Sequence, residues 1–343
     1  MPQGDPGGIG PETALAVLAR PEVRERCRPL ILGHRDLLAS LARDLGIAVQ
    51  VERAGDAEEA FARGPEDPLP VLELENELPG EAPAGQPHPA FGAAALEAVL
   101  RGGSLCLAGG AELLLTPPIH KQSLHLAGYP YEGQTRILGE LCRSRRYGML
   151  ACSGRLRILV ATRHMALKEA LVRLDANLVA KQIRIAHEAA HEVLGIPEPR
   201  VVLAGLNPHA GEGGAFGDEE RRILRPAIRN ARDRWGYETA GPAVPDVVFK
   251  EGLEGRWDVV VALYHDQAFI PLKLLDRRQG YTLFVGGPIL RVSPLHGAAY
   301  DRARTGSADP EPLAFALEKG LELARRRTSS RDAAGDAAQK VDR

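Results

Sequence analysis

Cysteine, methionine and tryptophan are scarce in this chain of 343 residues, with four, three and two copies. Cys27, Cys106, Cys142 and Cys152 form no Cys-x-x-Cys pair. That excludes the usual cysteine zinc and redox motifs, and it suits buried free thiols in a reducing compartment. Charge of one sign is lacking too. The 43 Lys and Arg nearly balance the 45 Asp and Glu, leaving a formal charge of −2. Neither nucleic acid nor an anionic membrane is favoured as a partner. The N-terminus has no basic stretch followed by an apolar one, so no signal peptide is expected. No apolar run approaches the ~20 residues of a membrane span. The expected location is cytoplasmic. What remains is 44% hydrophobic and 26% charged, the composition of a globular enzyme of one large or two moderate domains.

Short apolar runs alternate with amphipathic helical patterns. Strands are expected at 29–33, 48–53, 71–74, 111–115, 156–161, 201–206 and 259–263. Helices are expected at 36–45, 91–107, 167–171, 178–194, 219–234 and 315–327. This alternation predicts an α/β fold with a mainly parallel sheet. Residues 64–89 are rich in Pro, Glu and Gly and read as an extended excursion. Residues 328–343 lack periodicity and read as a disordered tail. At the start, Gly4-Asp5-Pro6-Gly7-Gly8-Ile9-Gly10-Pro11-Glu12 is a flexible loop feeding a helix. It is neither the spaced dinucleotide fingerprint nor a phosphate-binding Walker loop. Such a loop ordinarily follows a strand, yet only three residues precede it, so that strand is expected to be shortened.

Three histidines stand out. His164, His209 and His265 each follow an apolar run that reads as a buried strand, in Ala-Thr-Arg-His164, Asn-Pro-His209-Ala-Gly-Glu-Gly-Gly and Tyr-His265-Asp266-Gln267. Parallel strands of α/β folds deliver chemistry at their C-terminal ends. Three neutral imidazoles converging there suit a divalent transition metal with room left for a substrate. Taken alone, His164 also reads as a satisfied structural group, the His209 segment as a glycine-rich surface loop, and the His265 segment as a polar strand end that satisfies its own backbone. Lys121, Lys273 and Arg291 follow turns or apolar runs where a cation suits a carboxylate or phosphate, or else lies in solvent. A fourth pattern, His187-Glu188-Ala189-Ala190-His191, matches the zinc-protease HExxH. Its histidines lie at the edge of a helix core face set by Val179, Ile183, Ala186, Ala190 and Val193. No third ligand follows nearby, so it reads as a partly exposed helix face.

Several segments occur together in order: Gly4-Asp5-Pro6-x-Gly8-Ile9-Gly10-Pro11-Glu12, His120-Lys121, Gly133-x-Thr135, Leu206-Asn207-Pro208-His209-Ala210-Gly211-Glu212, Gly241-Pro242-x-x-x-Asp246 and Tyr264-His265-Asp266-Gln267. In this the chain resembles the 4-hydroxythreonine-4-phosphate dehydrogenase family of vitamin B6 biosynthesis, from residue 4 to about residue 325. The resemblance implies a fold like that of isocitrate and isopropylmalate dehydrogenases, in two domains with the active site in their cleft. The domains would be 1–130 with 260–327, and 131–259. It implies a homodimer with shared sites and a divalent cation (zinc, magnesium or cobalt) on His164, His209 and His265, one of them from the partner chain. It assigns Lys121, Asp246 and Asp266 to catalysis, and Gln134, Thr135, Lys273, Thr282 and Arg291 to a phosphorylated hydroxy-acid substrate. NAD or NADP would accept the hydride, and the resulting β-keto acid would lose carbon dioxide.

Three positions depart from the family pattern. Gln134-Thr135 stands where the family has His-Thr, Thr282 where it has Asn, and Leu295 where it has Asp. All three lie toward the substrate in that pattern. Relatives acting on threonate or erythronate 4-phosphate, or on an aromatic cis-dihydrodiol carboxylate, therefore stay open as alternatives. A non-enzymatic metal or dinucleotide sensor on the same scaffold is disfavoured by the retained cations.

Overall fold

A computed structural model of the chain describes residues 1–80 and 84–341. Its strands are β1 (Ile31–Gly33), β2 (Val51–Arg53), β3 (Leu69–Glu73), β4 (Leu114–Leu115), β5 (Gly148–Ser153), β6 (Leu156–Val160), β7 (Val201–Ala204), β8 (Thr239–Ala243), β9 (Val259–Ala262), β10 (Gly280–Val285) and β11 (Arg291–Pro294). The fold is α/β. Parallel pairing joins β1 to β3, β2 to β3, β4 to β11, β6 to β9, and β7 to both β8 and β9. The exception is β5, which runs antiparallel to β6 and β10.

The chain divides into two compact units. One is Met1–Ser144 with Pro288–Leu321, and the other is Arg145–Gly287 with the residues from Glu322 onward. These divisions fall later than the 130 and 260 expected from the sequence. The second shift comes from β10, an apolar, aromatic and β-branched run outside the strands expected from the sequence. All six of its residues pair with β5, from Gly280 opposite Ser153 to Val285 opposite Gly148. That ladder keeps 260–287 with the second unit.

In the first unit the sheet order is β1-β3-β2. The three residues before the glycine loop do form the expected short strand edge. Pro2 bridges in parallel to Leu32, with Gln3 N–H donating to the Leu32 carbonyl and Leu32 N–H to that of Met1, both at 2.9 Å. The helix Pro89–Leu107 packs Ala94 and Ala98 against Leu32 and Leu74. It corrects one expectation, because its length and mean hydropathy of 1.3 do meet the requirements for a membrane span. Half of that apolar window is nonetheless buried inside the protein. A Cβ at its Gly92 would stand 2.1 Å from the Ser123 carbonyl oxygen, so the helix Lys121–Leu126 lies directly on it. Small residues admit that approach, and the helix is a core element.

In the second unit the order is β10-β5-β6-β9-β7-β8. The strands β5, β7, β9 and β10 are buried at every residue, as expected for a sheet covered on both faces. The helix Ala176–Glu188 covers it with Val179, Ile183 and Ala186. Asp175 caps that helix, accepting from Asn177 N–H and Leu178 N–H at 2.7 Å each. The helix continues as a π-helical turn, Ala189–Val193.

The last helix runs Glu311–Val341, which corrects the tail expected over 328–343. That segment holds Ala, Arg and Gln, good helix formers, and no Pro. Its sequence lacks the apolar period that makes a helix legible. Residues 342 and 343 of the expected tail, and 81–83 of the excursion at 64–89, lie outside the described residues.

Candidate functional site

In the second unit, β6, β9 and β7 are neighbours in the sheet and run in parallel. The segments carrying His164, His265 and His209 therefore leave the same edge. Two pairs of bonds lace the strand ends together. The Thr162 hydroxyl donates to the Leu263 carbonyl at 2.7 Å, and Thr162 N–H donates to the same oxygen. Gln267, also buried, accepts from Leu263 N–H at 2.7 Å and donates to the Gly205 carbonyl at 2.8 Å. Gln267 stands in the Tyr-His-Asp-Gln motif, where its residue type alone implies no role. The structure makes it the tie between the ends of β7 and β9.

This lacing brings His164 and His265 together, with ring centroids 5.4 Å apart. His265 opens the helix His265–Leu274 and stacks on Phe269 at 4.4 Å. Its Nδ1 lies 2.6 Å from Asp266 Oδ1. With the proton on Nδ1, that bond fixes the ring and leaves Nε2 as a lone-pair donor, the usual outer support of a metal-binding histidine. His209 does not join them. Its side chain is 62% exposed, and its Nδ1 lies 2.8 Å from Glu212 Oε2. The bond to Glu212, reinforced by the charge of Asp246, holds the imidazole above the ordinary histidine pKa. Among the described residues, no three His, Cys, Asp or Glu side chains stand close enough to hold a metal ion. Of the three strand-end imidazoles, His164 and His265 are the two that one chain brings together. Lys273 is exposed in the last turn of the helix His265–Leu274, and Thr282 is buried on β10.

In the first unit, Arg291 opens β11 rather than following a strand. It is 4% exposed, and its Nε donates to the Thr116 hydroxyl at 2.7 Å. Burial pushes its guanidinium down to about 9. Gln134, also buried, begins the helix Gln134–Leu141 beside the half-buried Thr135. Its Nε2 donates to the Pro117 carbonyl at 2.8 Å, and its Oε1 is buried with no hydrogen-bond partner. Lys121 starts the helix Lys121–Leu126, where desolvation lowers its ammonium pKa. A chain of contacts not legible in the sequence lies beside it. Tyr300 donates to Asp5 at 3.0 Å, shares a 2.8 Å hydrogen bond with Ser123, and stacks on His120 at 4.2 Å. Asp5 also accepts from Gly7 N–H at 2.8 Å, and burial still raises its pKa. Tyr300 lies 295 residues from Asp5, so no local pattern could have paired them.

The HExxH segment is not a metal site. His187 is buried rather than partly exposed, stacked on Tyr237 at 4.7 Å with its Nε2 3.0 Å from the Thr239 hydroxyl. His191 turns the other way, its Nδ1 3.3 Å from the Ile196 carbonyl.

Residues 25–319 match the family described as pyridoxal phosphate biosynthetic protein PdxA. A 4-hydroxythreonine-4-phosphate dehydrogenase of Geobacter metallireducens is 39% identical over 94% of this chain and 94% of its own. A D-threonate 4-phosphate dehydrogenase of Salmonella typhimurium is also 39% identical, over 94% and 97%. The solved structure of 4-hydroxythreonine-4-phosphate dehydrogenase from Klebsiella pneumoniae superposes with a TM-score of 0.81 at 34% identity, covering 94% of this chain and 98% of that one. This chain belongs to the PdxA family.

Proposed function

We propose that this chain is a nicotinamide-dependent dehydrogenase that oxidises the secondary alcohol of 4-hydroxythreonine 4-phosphate, giving a β-keto acid that decarboxylates. The carrying observation is the His164–His265 pair at the laced ends of β6 and β9. A divalent cation held by His164, His265 and His209 of a second copy would acidify the alcohol and stabilise the carbonyl oxygen. Asp266 orients the His265 ring, and Asp246 adds negative charge near His209. Arg291, with Thr135 and Lys273, binds the phosphate, and its desolvated guanidinium strengthens each charge-assisted bond. Lys121 is the partly desolvated amine available to hold the carboxylate or carry a proton.

A homodimer with shared sites completes this reading. It is supported by the outward exposure of His209. A second support is the set of apolar side chains left in solvent on two helices of the same unit: Leu167, Leu171 and Val172, and Ile270 and Leu274. Val172 is 81% exposed and Leu274 82%, which is unusual unless a partner covers them. NAD serves as hydride acceptor in this reading, with NADP as the alternative.

D-threonate 4-phosphate is the second reading. The Salmonella typhimurium relative is as similar as the Geobacter metallireducens one, and the substitutions at Gln134, Thr282 and Leu295 all lie on the substrate side of the family pattern. The test is a paired assay with NAD and added zinc, cobalt or magnesium. It compares 4-hydroxythreonine 4-phosphate, D-threonate 4-phosphate and an unphosphorylated aromatic dihydrodiol acid. The highest kcat/KM is expected for 4-hydroxythreonine 4-phosphate. A preference for the dihydrodiol overturns the phosphate assignment.

A further inference from the structure

The segment Pro208–Gly214 has an unusual backbone. His209, Ala210, Gly211, Glu212 and Gly213 take φ values of 52°, 52°, 80°, 40° and 69°. Five successive residues thus lie in the left-handed region, three of them with side chains that disfavour it. Such a turn persists only where its surroundings over-determine it. Its own sequence supplies part of the answer, since Gly211 and Gly213 accept positive φ without strain. The rest comes from one carboxylate.

Glu220 is 4% exposed and opens the π-helical turn Glu220–Leu224. Its Oε1 accepts from both Leu206 N–H and Asn207 N–H at 2.8 Å. Its Oε2 accepts from Asn207 Nδ2 at 2.9 Å, while Glu219 Oε2 accepts from the same nitrogen at 2.8 Å. Burial raises the Glu220 carboxyl, but the bonds from Asn207 and Leu206 outweigh it and leave the pKa below the ordinary glutamate value. The loop closes tightly over this group. A Cβ on Gly211 would stand 2.7 Å from Glu220 Oε2, and a Cβ on Gly217 would stand 2.8 Å from Asn207 Nδ2. One side chain therefore fixes the backbone where β7 ends, two residues before His209. A π-helical turn widens the helix locally and often marks a functional position. Here it places Glu220 under the loop.

We propose that Glu220 is a positioning residue that clamps the Asn207 backbone and so holds the left-handed turn that presents His209 for metal binding. The proposal rests on reading His209 as a ligand. It goes beyond that reading by assigning the loop's shape to an acid within the helix expected over 219–234.

The test uses the full-length protein and Co(II), whose absorption reports binding without turnover. Outer groups that orient a metal ligand change affinity by about 10–100-fold. Glu220→Ala should weaken Co(II) binding by about that factor and accelerate amide exchange over 206–213 in the metal-free protein. Glu220→Gln keeps an oxygen for the two backbone N–H groups and loses the acceptor facing Asn207 Nδ2, so it should fall between wild type and Glu220→Ala. Glu220→Gln also serves if Glu220→Ala does not fold. Because Glu220 acts through His209, Glu220→Ala added to His209→Ala should cause no further loss of Co(II) affinity. Unchanged exchange over 206–213, or fully additive losses in the double variant, overturns the proposal. A His209→Ala chain with full Co(II) affinity overturns the ligand reading instead. The two failures are distinct, since amide exchange reads the clamp without metal.

Discussion

Some of the polar groups described above differ in burial between the two units. In the first, Asp5, Gln134 and Arg291 are buried and hydrogen-bonded to neighbours within that unit. In the second, His209, Asp266 and Lys273 lie largely in solvent. A buried cation such as Arg291, with its pKa pushed down to about 9, is pre-oriented for an anion and strong once one arrives. Exposed imidazoles cost little folding energy, yet they bind little alone. On the function proposed above, the difference means that the first unit would meet an anion with groups its own fold orients, whereas the second would need a ligand from another copy.

Four substitutions break or sharpen that contrast, from the largest expected effect downward. His164→Ala removes half of the His164–His265 pair and should cut kcat/KM by more than about 100-fold, beyond the usual cost of losing an outer-shell group. Steady-state kinetics with metal in excess checks it. Arg291→Ala should raise KM for the phosphorylated substrate by about 10-fold or more, because a charge-assisted bond contributes roughly 1.5–3 kcal/mol. An unchanged KM places the phosphate elsewhere.

Gln267→Ala strips partners from a buried N–H of Leu263 and a buried carbonyl of Gly205. Each unsatisfied group costs about 1–3 kcal/mol, so thermal unfolding should shift down by several degrees. The His164–His265 spacing should loosen as well, and a Tm equal to wild type contradicts the tie. His187 gives the smallest effect. Burial lowers its pKa from 6.5 to about 4, so protonation favours the unfolded chain. Its contribution is fully present above pH 6.5 and is lost as pH falls toward 4, with a slope of at most about 1.4 kcal/mol per pH unit. His187→Gln should flatten the chemical-denaturation stability profile over that window and leave the profile above pH 7 parallel to wild type.

How much of this was legible in the sequence depends on the range of the contacts. The runs before His164, His209 and His265 read as strands because a sheet covered on both faces needs continuous apolar residues. They became β6, β7 and β9, side by side. The order of motifs identified the family for a similar reason, since each motif is local. Contacts between distant residues were not legible. Asp5 meets Tyr300, and Thr116 meets Arg291, only because the chain returns to the first unit after residue 287. The helix Pro89–Leu107 shows the converse. Its small and apolar residues were read correctly as a helix, while its fitness for a membrane was missed, and only packing distinguishes a core helix from a span. Glu220 lies in the helix expected over 219–234, but its burial was not legible, because it opens a π-helical turn that a 3.6-residue period does not show.

The central claim is that one chain supplies His164 and His265 to a site whose third imidazole, His209, comes from another copy. The most direct measurement mixes two inactive variants, His209→Ala and His265→Ala, under conditions that exchange subunits. Each mixed dimer would hold one intact site, so up to roughly a quarter of wild-type activity should return for a symmetric pair with shared sites. Mixtures that stay as inactive as the separate variants, although exchange of subunits is verified, contradict the claim.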